Sequence, residues 1–230
     1  MPAYLLEALV VGLGLLLLML EAFGSPVRKA PIRILGIVGL ATALVLLFFA
    51  SAPPADNAEL ARFYAFDRPA IFFKALALVI TILMLLMAID YRGILNHFTE
   101  NVDSEEGTGE YYCLPIFACA GMMWAASARD LVSIFVSLEL ITITFYILVA
   151  YMRRNVGSLE SGVKYLILGA LSTAILVYGI AWVYGTTGST NLTEIGAALQ
   201  PGGAAAEQTT AVLFGLALLI VAVAFKVGAV

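Results

Sequence analysis

Residues Ser127–Gly188 read SARDLVSIFVSLELITITFYILVAYMRRNVGSLESGVKYLILGALSTAILVYGIAWVYGTTG. The stretch contains two apolar runs, Leu131–Tyr151 and Val163–Tyr184. Each is long enough to cross a hydrocarbon core of about 30 Å at about 1.5 Å of helical rise per residue. The first carries an ionisable residue, Glu139, near its middle, and the second carries Lys164 close to its start. A charge at bilayer depth costs about 2.5–3.5 kcal/mol, so such a group is there with a partner or a task. The stretch therefore reads as two membrane helices bearing opposite charges where lipid rejects them.

Five more apolar segments flank it: Tyr4–Phe23, Ile32–Ala50, Ala70–Ile89, Tyr112–Ala128 and Ala211–Val230. With 62% hydrophobic residues in 230, the chain is placed in the membrane class as an all-α polytopic protein of about seven transmembrane helices. A single membrane domain over residues 1–230 is expected, divided into three N-terminal helices (1–89) and a bundle from residue 112 onward. The balance of 12 Lys+Arg against 16 Asp+Glu has no basic run, which excludes nucleic acid as a partner. His97 is the one histidine, and Cys113 and Cys119 lie six apart in one apolar run. Neither pattern supplies ligands for haem or an iron–sulfur cluster, so no cofactor is expected in this chain. The two thiols read as small buried apolar side chains. Glu7 and the lack of a basic start make the first segment a membrane helix, not a cleaved signal.

The loops predict orientation. With the N-terminus outside, Arg28, Lys29, Arg33, Arg92, Arg153 and Arg154 fall on the cytoplasmic side, against Arg62, Arg68 and Arg129 outside. That bias favours the N-out arrangement. The connections Ser51–Pro69 and Asp90–Glu110 are long, and the second is an acidic solvated loop. Asn191–Leu199 reads either as a short surface helix capped by Asn191, with Glu194 at the capping-box position and Pro201-Gly202-Gly203 breaking it, or equally as an ordered loop. The last segment meets Lys226 and stops at Val230, which predicts a fragment, or a product whose remainder lies elsewhere.

Three residues are candidates for chemistry. On a helix Phe135, Glu139, Thr142 and Tyr146 share a stripe about 60° wide, so Glu139 sits on a narrow polar line. Lys164 has Glu160 four residues before it, which an ordinary ion pair explains, while Gly169 and Thr173 on the opposite face offer a close-approach site. Lys226 lies about 22 Å along its segment, past mid-bilayer, with Gly228 loosening the helix beyond it. Lys74 and Glu21, near segment ends, read as interfacial anchors.

The stretches ARDLVSIFVSLELITITFYILVAY, LESGVKYLILGALSTAILVYGIAWVYGTTGSTNL and GLALLIVAVAFKVGAV resemble the antiporter-like membrane subunits of proton-pumping NADH:quinone oxidoreductase (complex I), in particular the subunit N family. The resemblance is strongest over Tyr112–Val230. It implies an incomplete antiporter-like bundle and a line of mid-membrane charges, with Glu139 of SLEL, Lys164 of KYLILGA and Lys226 of AFK as proton-transfer residues. It further implies a non-redox subunit whose partners are other membrane subunits of the complex and the lipid bilayer. Direct NADH binding is not implied, and the expected location is a bacterial inner membrane. A multisubunit cation/proton antiporter subunit is the alternative, sharing the core charges, and a purely structural scaffold is a third. In the favoured reading Glu139 and Lys226 form a switchable pair, each holding the other ionised until they are drawn apart.

Overall fold

The computed structural model describes residues 2–23, 32–52, 58–99, 109–200, 202–203, 205 and 208–228. Within them the chain forms α1 (Tyr4–Phe23), α2 (Ile32–Phe48), α3 (Ala58–Phe63), α4 (Arg68–Asp90) and α5 (Arg92–Phe98). Then follow α6 (Gly109–Ala125), α7 (Leu131–Val149), α8 (Val156–Thr187), α9 (Leu192–Ala198) and α10 (Thr209–Lys226). Short polar residues set several of the starts by accepting the first free backbone N–H groups. Asp67 caps α4 ahead of Pro69, Asp130 caps α7, Asn155 caps α8 and Asn191 caps α9. Gly188, with φ of 74°, takes the left-handed turn that ends α8.

All seven apolar segments appear as helices. Five of them, α1, α4, α7, α8 and α10, are long and apolar enough to cross a membrane, and α2 is a shorter apolar helix. The distribution of polarity departs from that of a water-soluble bundle at the surface and at a few buried charges. Glu7, Glu21, Lys74 and Asp130 are buried, while Phe23, Met87 and Ile220 are among many large apolar side chains left outside. Apolar surface facing outward, with the charges of the spans turned inward, is what a hydrocarbon solvent demands. The chain is a polytopic integral membrane protein.

Helix α6 is the hub. It packs against α1, α2, α4 and α7, burying Tyr112, Cys113, Ile116, Cys119, Ala120 and Met123 in one apolar core with Leu6, Leu17, Leu40, Leu78 and Leu85. Both cysteines are free and buried there, as small apolar side chains. Pro115 lies inside α6 and leaves the Tyr111 carbonyl without its helical donor, yet the helix runs through it. Helix α7 bridges from this core to α8, and α8 makes its most extensive contact with α10.

The structure corrects several readings. Helix α8 begins at Val156, seven residues before the apolar run, because Asn155 accepts from the Gly157 and Ser158 N–H groups. The long connections contain the short helices α3 and α5, whose six and seven residues are too few to carry a membrane signal. Residues 100–108 of the acidic loop, and 24–31 with Arg28 and Lys29, lie outside the described residues. Lys74 and Glu21 are not interfacial anchors: Lys74 is fully buried and Glu21 nearly so, each turned into the bundle.

Candidate functional site

Glu139 stands eight residues from the start of α7 and ten from its end, about 12 and 15 Å from either. The polar stripe read from the sequence points at α8. Tyr146 lies so close to Gly169 that a Cβ there would collide with its hydroxyl, and two turns back along α7 Glu139 lies against Thr173, one turn on from Gly169. Glycine at 169 is thus required by close approach of an aromatic side chain, and the small residues at 169 and 173 let α7 reach α8.

Helix α10 then brings the counter-charge. It crosses α8 tightly at Gly179 and Gly215, where a Cβ on Gly179 would lie 3.0 Å from the Gly215 carbonyl oxygen. Ser172 donates to the Ala222 carbonyl at 3.1 Å in a buried cross-helix bond. One turn further Lys226 Nζ lies 3.0 Å from Glu139 Oε1, with 7% of the lysine and 21% of the glutamate side chain exposed. The Thr173 hydroxyl donates to the same carboxylate oxygen at 2.8 Å and lies 3.4 Å from the ammonium. Lys226 occupies the last turn of α10, where the partial negative charge of the helix end also favours a cation. Breaking such a desolvated pair by removing one partner typically costs about 3–5 kcal/mol, because the other charge is left bare.

A cleft of about 650 Å³ runs between α7 and α8 from Glu139 and Thr173 past Tyr146, Ala150 and Tyr151 to Glu110 and Arg153. It joins the mid-helix acid to the charged end of the bundle. At that end burial, and then the acids Glu110 and Glu21, push the Tyr151 hydroxyl upward in pKa, so it remains a neutral donor and acceptor. Glu21 faces Gly109, where any larger residue would collide with its carboxylate.

Lys164 does not join this site. It pairs with Glu160 at 2.5 Å, and both side chains are largely exposed on the described chain. Thr173 lies nine residues on, about 13 Å along the axis. With α8 starting at Val156, Lys164 sits in the third turn of the helix.

The sequence reading missed a second buried cluster. Lys74 Nζ lies 2.6 Å from Glu7 Oε1 and donates to the Tyr64 hydroxyl at 2.6 Å, while Tyr64 donates to Glu7 Oε1 at 2.9 Å. Burial, and then the Glu7 charge, push the Tyr64 hydroxyl strongly upward in pKa, so it stays protonated. A signal was present: Ala70, Lys74, Ala77 and Thr81 share one small-residue face of α4, and Glu7, Val10, Gly14, Leu17 and Glu21 share one face of α1. Among the described residues no three His, Cys, Asp or Glu side chains gather as a metal site.

Residues 128–230 match the family described as NADH:quinone oxidoreductase/Mrp antiporter, TM. Subunit N of NADH-quinone oxidoreductase from Rhodospirillum rubrum is 34% identical over 97% of this chain and 44% of its own length. The subunit N of Moorella thermoacetica is 38% identical over the same shares. The chain thus spans less than half the length of these relatives. Respiratory complex I from Thermus thermophilus contains a chain that superposes with a TM-score of 0.66 at 25% identity, over 96% of this chain and 43% of that one. The Mrp complex from Dietzia sp., at 22% identity over 96% of this chain and 40% of that one, shares the fold with a TM-score of 0.62. With its SLEL, KYLILGA and AFK segments on α7, α8 and α10, the chain is similar to the antiporter-like membrane subunits of NADH:quinone oxidoreductase, and to subunit N among them.

Proposed function

We propose that this chain is part of the proton-translocating machinery of a complex I in a bacterial inner membrane, as a non-redox subunit held among other membrane subunits and lipid. The observation that carries the proposal is the pair of Glu139, midway along α7, and Lys226, at the end of α10, clasped by Thr173 at one end of a cleft to the charged end of the bundle. In the paired state each charge satisfies the other. If α10 or α7 moves so that the contact opens, the ammonium is left desolvated without its counter-charge. It then releases its proton to the next base or water along the route. Closing the contact with a proton taken from the cleft restores the starting state. The redox reaction and NADH binding belong to other subunits in this reading, and no cofactor is assigned to the chain.

Lys164 is retained as a relay at the surface of the described chain. If Lys164→Ala lowers translocation, that role stands; if translocation is unchanged, Lys164 is half of a surface pair.

The decisive variant is Glu139→Gln in the whole complex, which keeps shape and hydrogen bonding but deletes the charge. The complex assembles, and proton translocation falls by about a hundredfold, the low end of what a positioned proton-transfer group contributes. Full translocation by an assembled Glu139→Gln complex overturns the proposal. Purification separates the sister assignment: oxidoreductase subunits accompany this chain, whereas an antiporter yields only membrane subunits.

A further inference from the structure

Glu7, Tyr64 and Lys74 lie outside the Glu139–Lys226 site, and the proposed route does not use them. Their geometry is nevertheless closed. Three groups from α1, α4 and the segment before α4 bond one another, with 0% of Lys74 and 3% of the Glu7 side chain exposed. The ammonium also lies 4.6 Å from the Tyr64 ring centroid and 5.3 Å from that of Phe66. Glu7 Oε2 is buried without a hydrogen-bond partner. A buried ion pair of this kind is a poor source of stability compared with apolar packing. What it does supply is register: sliding α1 against α4 by one turn would strand two charges in an apolar bundle.

The register reaches α7 through the backbone beside Tyr64. Ala65 N–H donates to the Ser127 carbonyl at 2.7 Å, and Arg129 N–H donates to the Phe63 carbonyl at 3.0 Å. On the other side of the same turn, Leu131 N–H donates to the Thr190 carbonyl at 2.9 Å and Leu192 N–H to that of Arg129 at 3.0 Å. Residues 127–131 are thus the middle of three short extended segments. They are bridged to Tyr64 on one side and Asn191 on the other. Asp130 caps α7 from within this belt and accepts the Thr190 hydroxyl at 2.6 Å. The Asn191 amide donates to the Arg62 carbonyl at 2.6 Å and closes the belt.

We propose that Glu7, Tyr64 and Lys74 form a positioning latch that sets, through this belt, the axial level of α7 and hence of Glu139 against Thr173 and Lys226. The inference rests on the proton-transfer reading of that pair. Glu139 is eight residues from Leu131 on an unbroken helix, so a shift of the turn carries to the carboxylate undiminished. A slip of one residue, about 1.5 Å, is enough to take a hydrogen-bonded contact out of range. The three are positioning residues and touch no transferred proton themselves.

The test uses the complete complex in its membrane, with translocation measured per assembled complex across pH. Two variants serve: Tyr64→Phe, which removes one hydroxyl, and the double change Glu7→Gln with Lys74→Met, which removes both buried charges together and leaves neither bare. Both are expected to assemble, to lower translocation by about tenfold, and to move the pH midpoint of translocation in the same direction by about one unit. If the double variant fails to assemble, Tyr64→Phe decides alone. An unchanged rate and pH profile per assembled complex, with only the amount of complex reduced, overturns the latch and leaves a purely structural pair. Glu139→Gln run in parallel separates the two ideas. If it translocates normally the proton reading itself fails, and if it is impaired while both latch variants are normal, only the latch fails.

Discussion

Thr173 is the residue that joins the two charges, donating to Glu139 and lying within reach of Lys226. Thr173→Val keeps the shape and removes the hydroxyl. It should slow translocation by about tenfold, less than the loss of either charge, and Thr173→Ser should restore it. Lys164→Ala should change thermal stability by less than about 0.5 kcal/mol, since both partners are exposed. Glu194 gives a pH prediction. The hydrogen bond from Ser189, and then Arg62, hold its carboxyl below the ordinary value of 4.5. A lowered folded-state pKa means the tie stabilises above the ordinary value and is lost as pH falls through the lowered one. Glu194→Gln should therefore flatten that acid-side loss in a thermal-melt series against pH. Glu139 was legible in the sequence because a lone acid in an apolar run stands out. Lys74 and Glu21 were misread because proximity to a segment end looks the same whether the side chain turns outward or inward. The capping box was half right: Asn191 caps α9, but Glu194 bonds Arg62 and Ser189 instead of the cap backbone.

At the scale of the helix, the seven long elements followed from apolar length, which membrane helices state openly. Their boundaries did not, because α8 extends through VGSLESG on the strength of an Asn155 cap, a local hydrogen bond with no hydropathy signal. The same logic makes the Asp130 cap testable. Asp130→Ala removes the acceptor for Val132 and Ser133 N–H and the partner of Thr190, at a cost of at least about 1 kcal/mol in the unfolding free energy. Gly169→Leu is harsher, since its side chain must displace Tyr146 and part α7 from α8. It should abolish the Glu139–Thr173 contact and translocation together, while Leu168→Ile on the exposed face of α8 should leave both intact.

At the scale of the whole molecule, burial of charge and exposure of hydrocarbon place the chain in a bilayer, and the loop arginines predict its orientation. With the N-terminus outside, a single cysteine at position 155 should react with an impermeant thiol reagent from the cytoplasmic face, and one at position 196 from the opposite face. The native Cys113 and Cys119 are buried and do not confuse the assay. If Glu139 and Lys226 act as one unit, a double-mutant cycle on translocation shows it. In the assembled complex, Glu139→Gln and Lys226→Met should each remove most of the translocation. Together they should lose no more than the worse of the two alone, because the second change finds the pair already broken. Losses that multiply in the double variant, or normal translocation in either single variant, would contradict it.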